Sequence, residues 1–259
     1  MIKGIINGLK TYGTSFGLIS KLGLWKYFAI PMLISLLTAV IIGFTAWGLS
    51  DNIGHWISGI WPWDWGSQTF ETIASFLGAL VVIAIGLILY KHIIMALSAP
   101  FMSPVSEKIE THILGTDHLH RDTTFKAQLW RGIRINVRNL SLELLLTIPI
   151  LLFSFIPVIG ILSTILLFLV QAYYAGFGNM DYTLERHYKY DKSVQFVRSH
   201  KGYAIGNGIV FMLFLLIPII GVILVLPISV TAATVQTINL IEPDKKQQLP
   251  TSKENKQLS

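Results

Sequence analysis

The sequence predicts an all-α integral membrane protein: a helical bundle with two long spanning helices, two Pro/Gly-tipped helical hairpins and an N-terminal amphipathic helix. Three observations predict it. The first is composition: of 259 residues, 53% are hydrophobic and 13% charged, with a mean hydropathy of +0.60. A soluble domain carries about a quarter of its residues as charge. The second is a pair of apolar runs, one reaching Leu49 and one over residues 70–97, each of spanning length. The third is a repeated device. Ile156-Pro157-Val158-Ile159-Gly160 splits the apolar segment 140–174, and Ile217-Pro218-Ile219-Ile220-Gly221 splits the segment 205–240. Proline removes a backbone donor and glycine allows a reversal, so each segment reads as two helical arms joined at a tight tip.

Residues 1–20 place Ile2, Ile5, Ile6, Leu9, Tyr12, Phe16 and Ile19 at helical spacing, with Lys3, Asn7, Lys10 and Thr14 off that face. The pattern fits a helix lying in the membrane interface, or one packed on the bundle and facing solvent. No small-x-small cleavage pattern follows a short apolar core, so a cleaved signal is not expected. The first spanning helix starts near Tyr27, with Pro31 in its first turns, where proline does least damage. Residues 51–68 read as a short polar loop. Its Trp56, Trp61, Trp63 and Trp65, with Trp47 before them, suit a headgroup belt.

In the second spanning helix, Lys91 and His92 are expected to emerge or snorkel. Pro100 and Pro104 then predict a break, and residues 117–122 a polar loop. His118 and His120 in that loop lack a further ligand set, so no metal is expected. From Phe125 a helix carries Arg131, Arg134 and Arg138 on one face. That stripe is either a solvated or headgroup face or an anion-attracting vestibule. Glu143, in the entry turn of the first hairpin, is expected to pair with Arg138 or Lys201. Residues 178–203 read as a charged, compact connection. The arms of the second hairpin are short, and Pro227 is expected to interrupt its return. Thr231 and Thr234 there, with Gln171 on the first hairpin, are candidates to line a pathway or to pack helices. Residues 1–241 form one membrane domain, and 242–259 a disordered cytoplasmic tail.

Lysine and arginine crowd the N-terminus, residues 99–138, residues 178–203 and the tail, and are missing from the Trp-rich loop. Both termini are therefore expected in the cytoplasm, with the Trp loop outside. Each hairpin then either crosses fully or re-enters part-way, and partial penetration fits the short second hairpin better. The chain has no cysteine, which excludes disulfides, cysteine nucleophiles and thiolate metal sites. No nucleophile–base set, P-loop or dinucleotide fingerprint appears, so no enzyme activity and no cofactor are expected.

The order of several motifs resembles the CysZ sulfate permease and etoposide-induced membrane protein family. They are Gly23-Leu24 before an Ile30-Pro31 helix start, Ala99-Pro100-Phe101 followed by Glu107-Lys108-Ile109-Glu110, the first hairpin tip, Asp181-Tyr182, the second tip, and the run 226–234. The resemblance covers about residues 1–240. It implies hairpins dipping into the bilayer of an inner membrane and sulfate passage toward cysteine synthesis. It also implies an anion site at Gly23, Leu24, Trp25 and Lys26. In the permease arginine follows the Gly-Leu pair; here Trp25 follows, and Lys26 is the nearest cation, a point charge without arginine's fork. Helix-start N–H groups suit an oxyanion. Two classes stay open: an anion permease, and a non-conducting membrane scaffold of the same fold. The expected partners are sulfate or a similar anion, membrane lipid and further copies of the chain, with no nucleic acid.

Overall fold

The computed structural model describes residues 1–58, 67–115, 123–153, 156, 159–217 and 220–248. Every element among them is helical: α1 (Ile2–Lys10), α2 (Tyr12–Lys21), α3 (Trp25–Ser58), α4 (Ser67–Leu114), α5 (Phe125–Phe153), α6 (Ile159–His187), α7 (Tyr190–Ser199), α8 (Lys201–Leu215) and α9 (Ile220–Gln248). Among the described residues, five stretches are long and apolar enough to cross a membrane: Trp25–Leu49, Ile85–Leu114, Phe125–Phe153, Ile159–His187 and Ile223–Glu242. α3 packs along α4, α4 along α5 and α5 along α6. α9 closes the bundle against α3, α4, α6 and α8.

The burial pattern is that of a protein solvated by lipid. Leu33, Leu37, Ile41 and Phe44 on α3, Leu145, Ile148 and Leu152 on α5, and Ile161, Leu162 and Ile165 on α6 all face outward. Asn136, Asn139, Glu143, Asn179, Asp181, Glu185 and Asn207 are buried. Large exposed apolar surfaces of this kind mark a membrane face, and polar groups in lipid must find partners inside the protein.

Small residues set the tightest crossings. Ala172 and Gly176 on α6 meet Ala204 and Gly208 on α8. A methyl on Gly208 would overlap the Ala172 carbonyl oxygen, and one on Gly176 the Ala204 carbonyl oxygen. This is the small-xxx-small contact that lets membrane helices approach backbone to backbone. α8 uses its other glycines, Gly202 and Gly206, to seat α1 through Gly4 and Gly8. Hence α1 is held on the bundle while Ile2 and Ile6 stay exposed. Asn207 ties the region together. It accepts from Asn179 Nδ2 at 2.8 Å on its side-chain oxygen, and its Nδ2 donates to the Ser229 carbonyl at 3.0 Å. Its own carbonyl accepts from the Tyr12 hydroxyl at 2.8 Å. Burial pushes the Tyr12 phenol up, so it stays a donor.

The breaks near residues 154–158 and 216–219 fall where the two Pro/Gly tips predict them. Pro157, Val158, Pro218 and Ile219 lie outside the described residues. Elsewhere helices run further than expected. α3 continues to Ser58 instead of ending in a polar loop at residue 51, while Trp61, Trp63 and Trp65 lie outside the described residues. α4 runs unbroken through Pro100 and Pro104. Two donors from α6 bracket the proline pair: the Tyr182 hydroxyl bonds the Met95 carbonyl at 2.6 Å, and Arg186 Nη1 the Ser103 carbonyl at 3.0 Å. These bonds tie α4 to α6 around the proline pair. α9 also passes through Pro227 without a break. Residues 178–203, read as a compact connection, are largely helical: α6 extends to His187, and α7 and the start of α8 follow. The expected domain edge at Glu242 falls within α9, and residues 249–259 lie outside the described residues, as do His118 and His120.

Candidate functional site

The turn between α2 and α3 is a glycine C-cap. Gly23 has φ +59°, a conformation glycine adopts without strain. Its N–H donates to the Ser20 carbonyl at 3.2 Å, and the Leu24 N–H donates to the Ile19 carbonyl at 3.0 Å. This bond pair, with the buried Leu24–Ile19 contact, is a Schellman motif. The N–H groups of Gly23 and Leu24 are therefore spent on α2. Among the described residues, those of Trp25 and Lys26 have no backbone partner, so the positive end of α3 opens there. The Trp25 indole is fixed by its Nε1 donating to Ser20 Oγ at 3.2 Å and by edge contacts with Phe16 and Phe28.

Two cations stand over the Tyr27 ring beside this turn. Lys26 Nζ lies over the Tyr27 ring at 5.4 Å from its centroid, and Lys108 Nζ, from α4, at 5.3 Å. Both lysines are exposed. A cleft of about 610 Å³ adjoins Lys108, lined by Leu22, Pro104, Glu107, Lys108, Thr111 and His112. Lys108 thus joins the predicted group from a helix 82 residues away in sequence.

The three arginines separate. Arg131 is committed to the fold: Nε and Nη2 donate to the two oxygens of Asp181 at 3.0 and 2.8 Å, Nη1 to the Tyr188 carbonyl at 2.9 Å, and Nη2 also to Ser193 Oγ at 2.7 Å. Four of its five N–H groups are engaged within the fold, which leaves little for a passing anion. Arg134 is exposed and stacks on Tyr190 at 3.9 Å, while Arg138 donates to Asn139 Oδ1 at 2.9 Å and lies over Phe177. Thr231 and Thr234 are fully buried, each bonding the carbonyl four residues back, and Thr183 donates to Thr234 at 3.1 Å. Gln171 stands apart from them, its carbonyl 3.5 Å from Lys91 Nζ.

Two buried ionic groups complete the interior. Lys91 is fully buried and does not snorkel; its Nζ lies 2.6 Å from Glu143 Oε1. His92 Nε2 lies 3.0 Å from Glu143 Oε2. Glu143 therefore pairs with α4 rather than with Arg138 or Lys201. Further along α4, toward Lys108, Glu110 holds Arg186 at 2.9 Å and His187 at 2.7 Å, while Glu185 accepts from Ser103 and Thr123. No group of three or more potential metal ligands occurs among the described residues.

A family model described as sulfate transporter CysZ/etoposide-induced protein 2.4 matches residues 12–226. The chain belongs to that family. The sulfate transporter CysZ of Pseudomonas aeruginosa is 28% identical over 235 residues, covering 88% of this chain and 93% of the relative. That of Pseudomonas paraeruginosa is 27% identical over 235 residues with the same coverage, and one from Pseudomonas fluorescens is 25% identical over 242 residues, covering 89% and 92%. With its apolar helices, membership in the CysZ family makes the chain a multi-pass membrane protein. The matched stretch includes the α2–α3 turn, Lys108, Lys91 and Glu143; Thr231 and Thr234 lie beyond it.

Lys91, His92 and Lys108 were legible only in part. Lys91 and His92 interrupt an apolar run, with Leu87, Ile88 and Leu89 before them and Ile93, Ile94 and Met95 after. An ionisable group so placed is a site by default, and that signal outweighs the snorkelling reading. Nothing local points to Lys108; its place beside Lys26 is a product of the fold.

Proposed function

We propose that this chain carries sulfate across the inner membrane, taking it up where α2 turns into α3. The observation that supports this most directly is the convergence of Lys26 and Lys108 on Tyr27, beside the open N–H groups of Trp25 and Lys26 and a polar cleft. The relatives named sulfate transporters supply the substrate. Gly23 and Leu24 shape this anion site through the cap, while Trp25 and Lys26 face the anion with their N–H groups. Arg134 and Arg138 raise the local anion concentration. Charge-assisted hydrogen bonds contribute about 1.5–3 kcal/mol each. Lys26→Ala is therefore expected to weaken sulfate binding by about tenfold or more. Titration of sulfate against both proteins in detergent, with chloride as control, reads this directly, alongside sulfate uptake into proteoliposomes. Equal affinity in the two proteins removes the site; absence of uptake by the wild type removes the transport reading.

The same reading places both termini in the cytoplasm and the α3–α4 connection outside, on the distribution of lysine and arginine. The α8–α9 hairpin then enters from the cytoplasmic side and turns within the membrane. α8 has 15 residues, about 22 Å of helix, against about 30 Å of hydrocarbon. A cysteine at Ser67 is expected to react with a bulky external reagent, and a cysteine at Ile219 to be shielded from it. Cytoplasmic-only labelling at Ser67 reverses the orientation, and equal labelling at Ile219 makes the hairpin a full crossing.

A further inference from the structure

With Lys91 as an ammonium, the hydrogen-bond inventory around Glu143 sums to a net positive charge inside the bundle. Asn136 Nδ2 donates to the Gly132 carbonyl at 2.9 Å, so its Oδ1 is the atom 3.2 Å from His92 Nδ1. An amide oxygen only accepts, so Nδ1 carries a hydrogen. The other ring nitrogen, Nε2, faces Glu143 Oε2 at 3.0 Å. A bond there needs a proton on one of the two atoms, whichever holds it. The remaining oxygen takes the Lys91 ammonium at 2.6 Å. One ammonium, one carboxylate and one shared proton sum to a single positive charge, in side chains exposed by no more than 3%.

An uncompensated charge at such a depth is costly. The groups around it are mostly donors. Asn139, one turn before Glu143 on the same face of α5, has no partner for its Nδ2 and is fully buried. Its Oδ1 is already taken by Arg138, which brings a further cation close. Thr147, one turn beyond Glu143, has a buried hydroxyl with no partner. The inward stripe Asn136, Asn139, Glu143, Thr147 thus carries spare donors on both sides of a positive centre.

We infer that Lys91, His92 and Asn139 form an interior station for a sulfate-class oxyanion. In the empty state the Glu143 carboxylate stands in for that anion and holds two of its donors. The oxyanion enters by displacing the carboxylate, and the carboxylate expels it again on return. The station rests on the transport reading above and adds a second, buried anion position to it.

Removing the tethered carboxylate while keeping the cation is the test. Glu143→Gln in detergent is expected to bind a second sulfate per chain, measured by calorimetry, and its uptake in proteoliposomes is expected to fall because the anion is no longer expelled. The Lys91→Met/Glu143→Gln variant removes both buried charges together, which such sites commonly tolerate. It is expected to keep the wild-type melting midpoint and entry-site binding, and to lose uptake by about tenfold or more. A folded Glu143→Gln with unchanged stoichiometry overturns the station. Where Glu143→Gln does not fold, the double variant decides: uptake at the wild-type rate overturns it. Wild-type vesicles that take up no sulfate count against transport itself, whereas the calorimetric count in Glu143→Gln judges the station independently.

Discussion

Gly208→Leu is expected to prevent α8 from docking on α6. Even a single methyl at this position overlaps the Ala172 carbonyl oxygen, and the reciprocal contact, Gly176 on the Ala204 carbonyl, leaves α6 no direction in which to yield. Overpacking a core usually costs about 1–3 kcal/mol because side chains can shift. Here the obstacle is backbone on both sides, so the loss is expected to exceed about 3 kcal/mol by the same scale. The displacement would also pull Asn207 away from Asn179 and Ser229. Unfolding in detergent monitored by circular dichroism reads the effect. Gly17→Ala is the matched control. Nothing lies within 4 Å of a methyl there, and alanine favours the helix by up to about 1 kcal/mol. A Gly208 variant that unfolds together with wild type would show that the crossing does not hold the bundle.

Glu110→Ala is expected to have a comparable effect through charge. Glu110 sits on α4, and its two oxygens hold Arg186 and His187 of α6 at 2.9 and 2.7 Å, all three side chains being no more than 6% exposed. Removing one member of a buried pair leaves the other charge stranded, at a cost of about 3–5 kcal/mol. Arg186 keeps its bonds to Ser103, Ser106 and Tyr182, but none of these is an anion. Glu110→Gln retains an acceptor for the guanidinium and is expected to lose less. Equal denaturation midpoints for Glu110→Ala and wild type would assign the group no part in stability.

What could be read in advance follows from range. Helix ends depend on neighbouring residues, so Ile156-Pro157 and Ile217-Pro218 announced the ends of α5 and α8 before any packing was known. The same rule failed at Pro100 and Pro104, where α4 runs on as one helix held against α6 through Tyr182 and Arg186. The charged groups failed for a related reason. Arg131 and Asp181 are 50 residues apart, and Lys91 and Glu143 52. Periodicity within one helix shows which residues share a face but not what that face meets. At the α2–α3 turn the local reading offered the Gly23 and Leu24 N–H groups to an anion, but both are spent on α2, since a glycine before a helix also ends the helix preceding it.

The length of α4 has a mechanical consequence. Its 48 residues make a shaft of about 72 Å at the usual rise, and it carries Lys108 at the outer cleft and Lys91 in the interior. Between them, Pro100 and Pro104 thin the ladder, and a helix bends most readily where its ladder is thin. That elbow is splinted by α6 through Tyr182 and Arg186. Bending the shaft there strains the bonds from Tyr182 and Arg186, so the linkage between the two lysines is stiffened by side chains that touch neither of them.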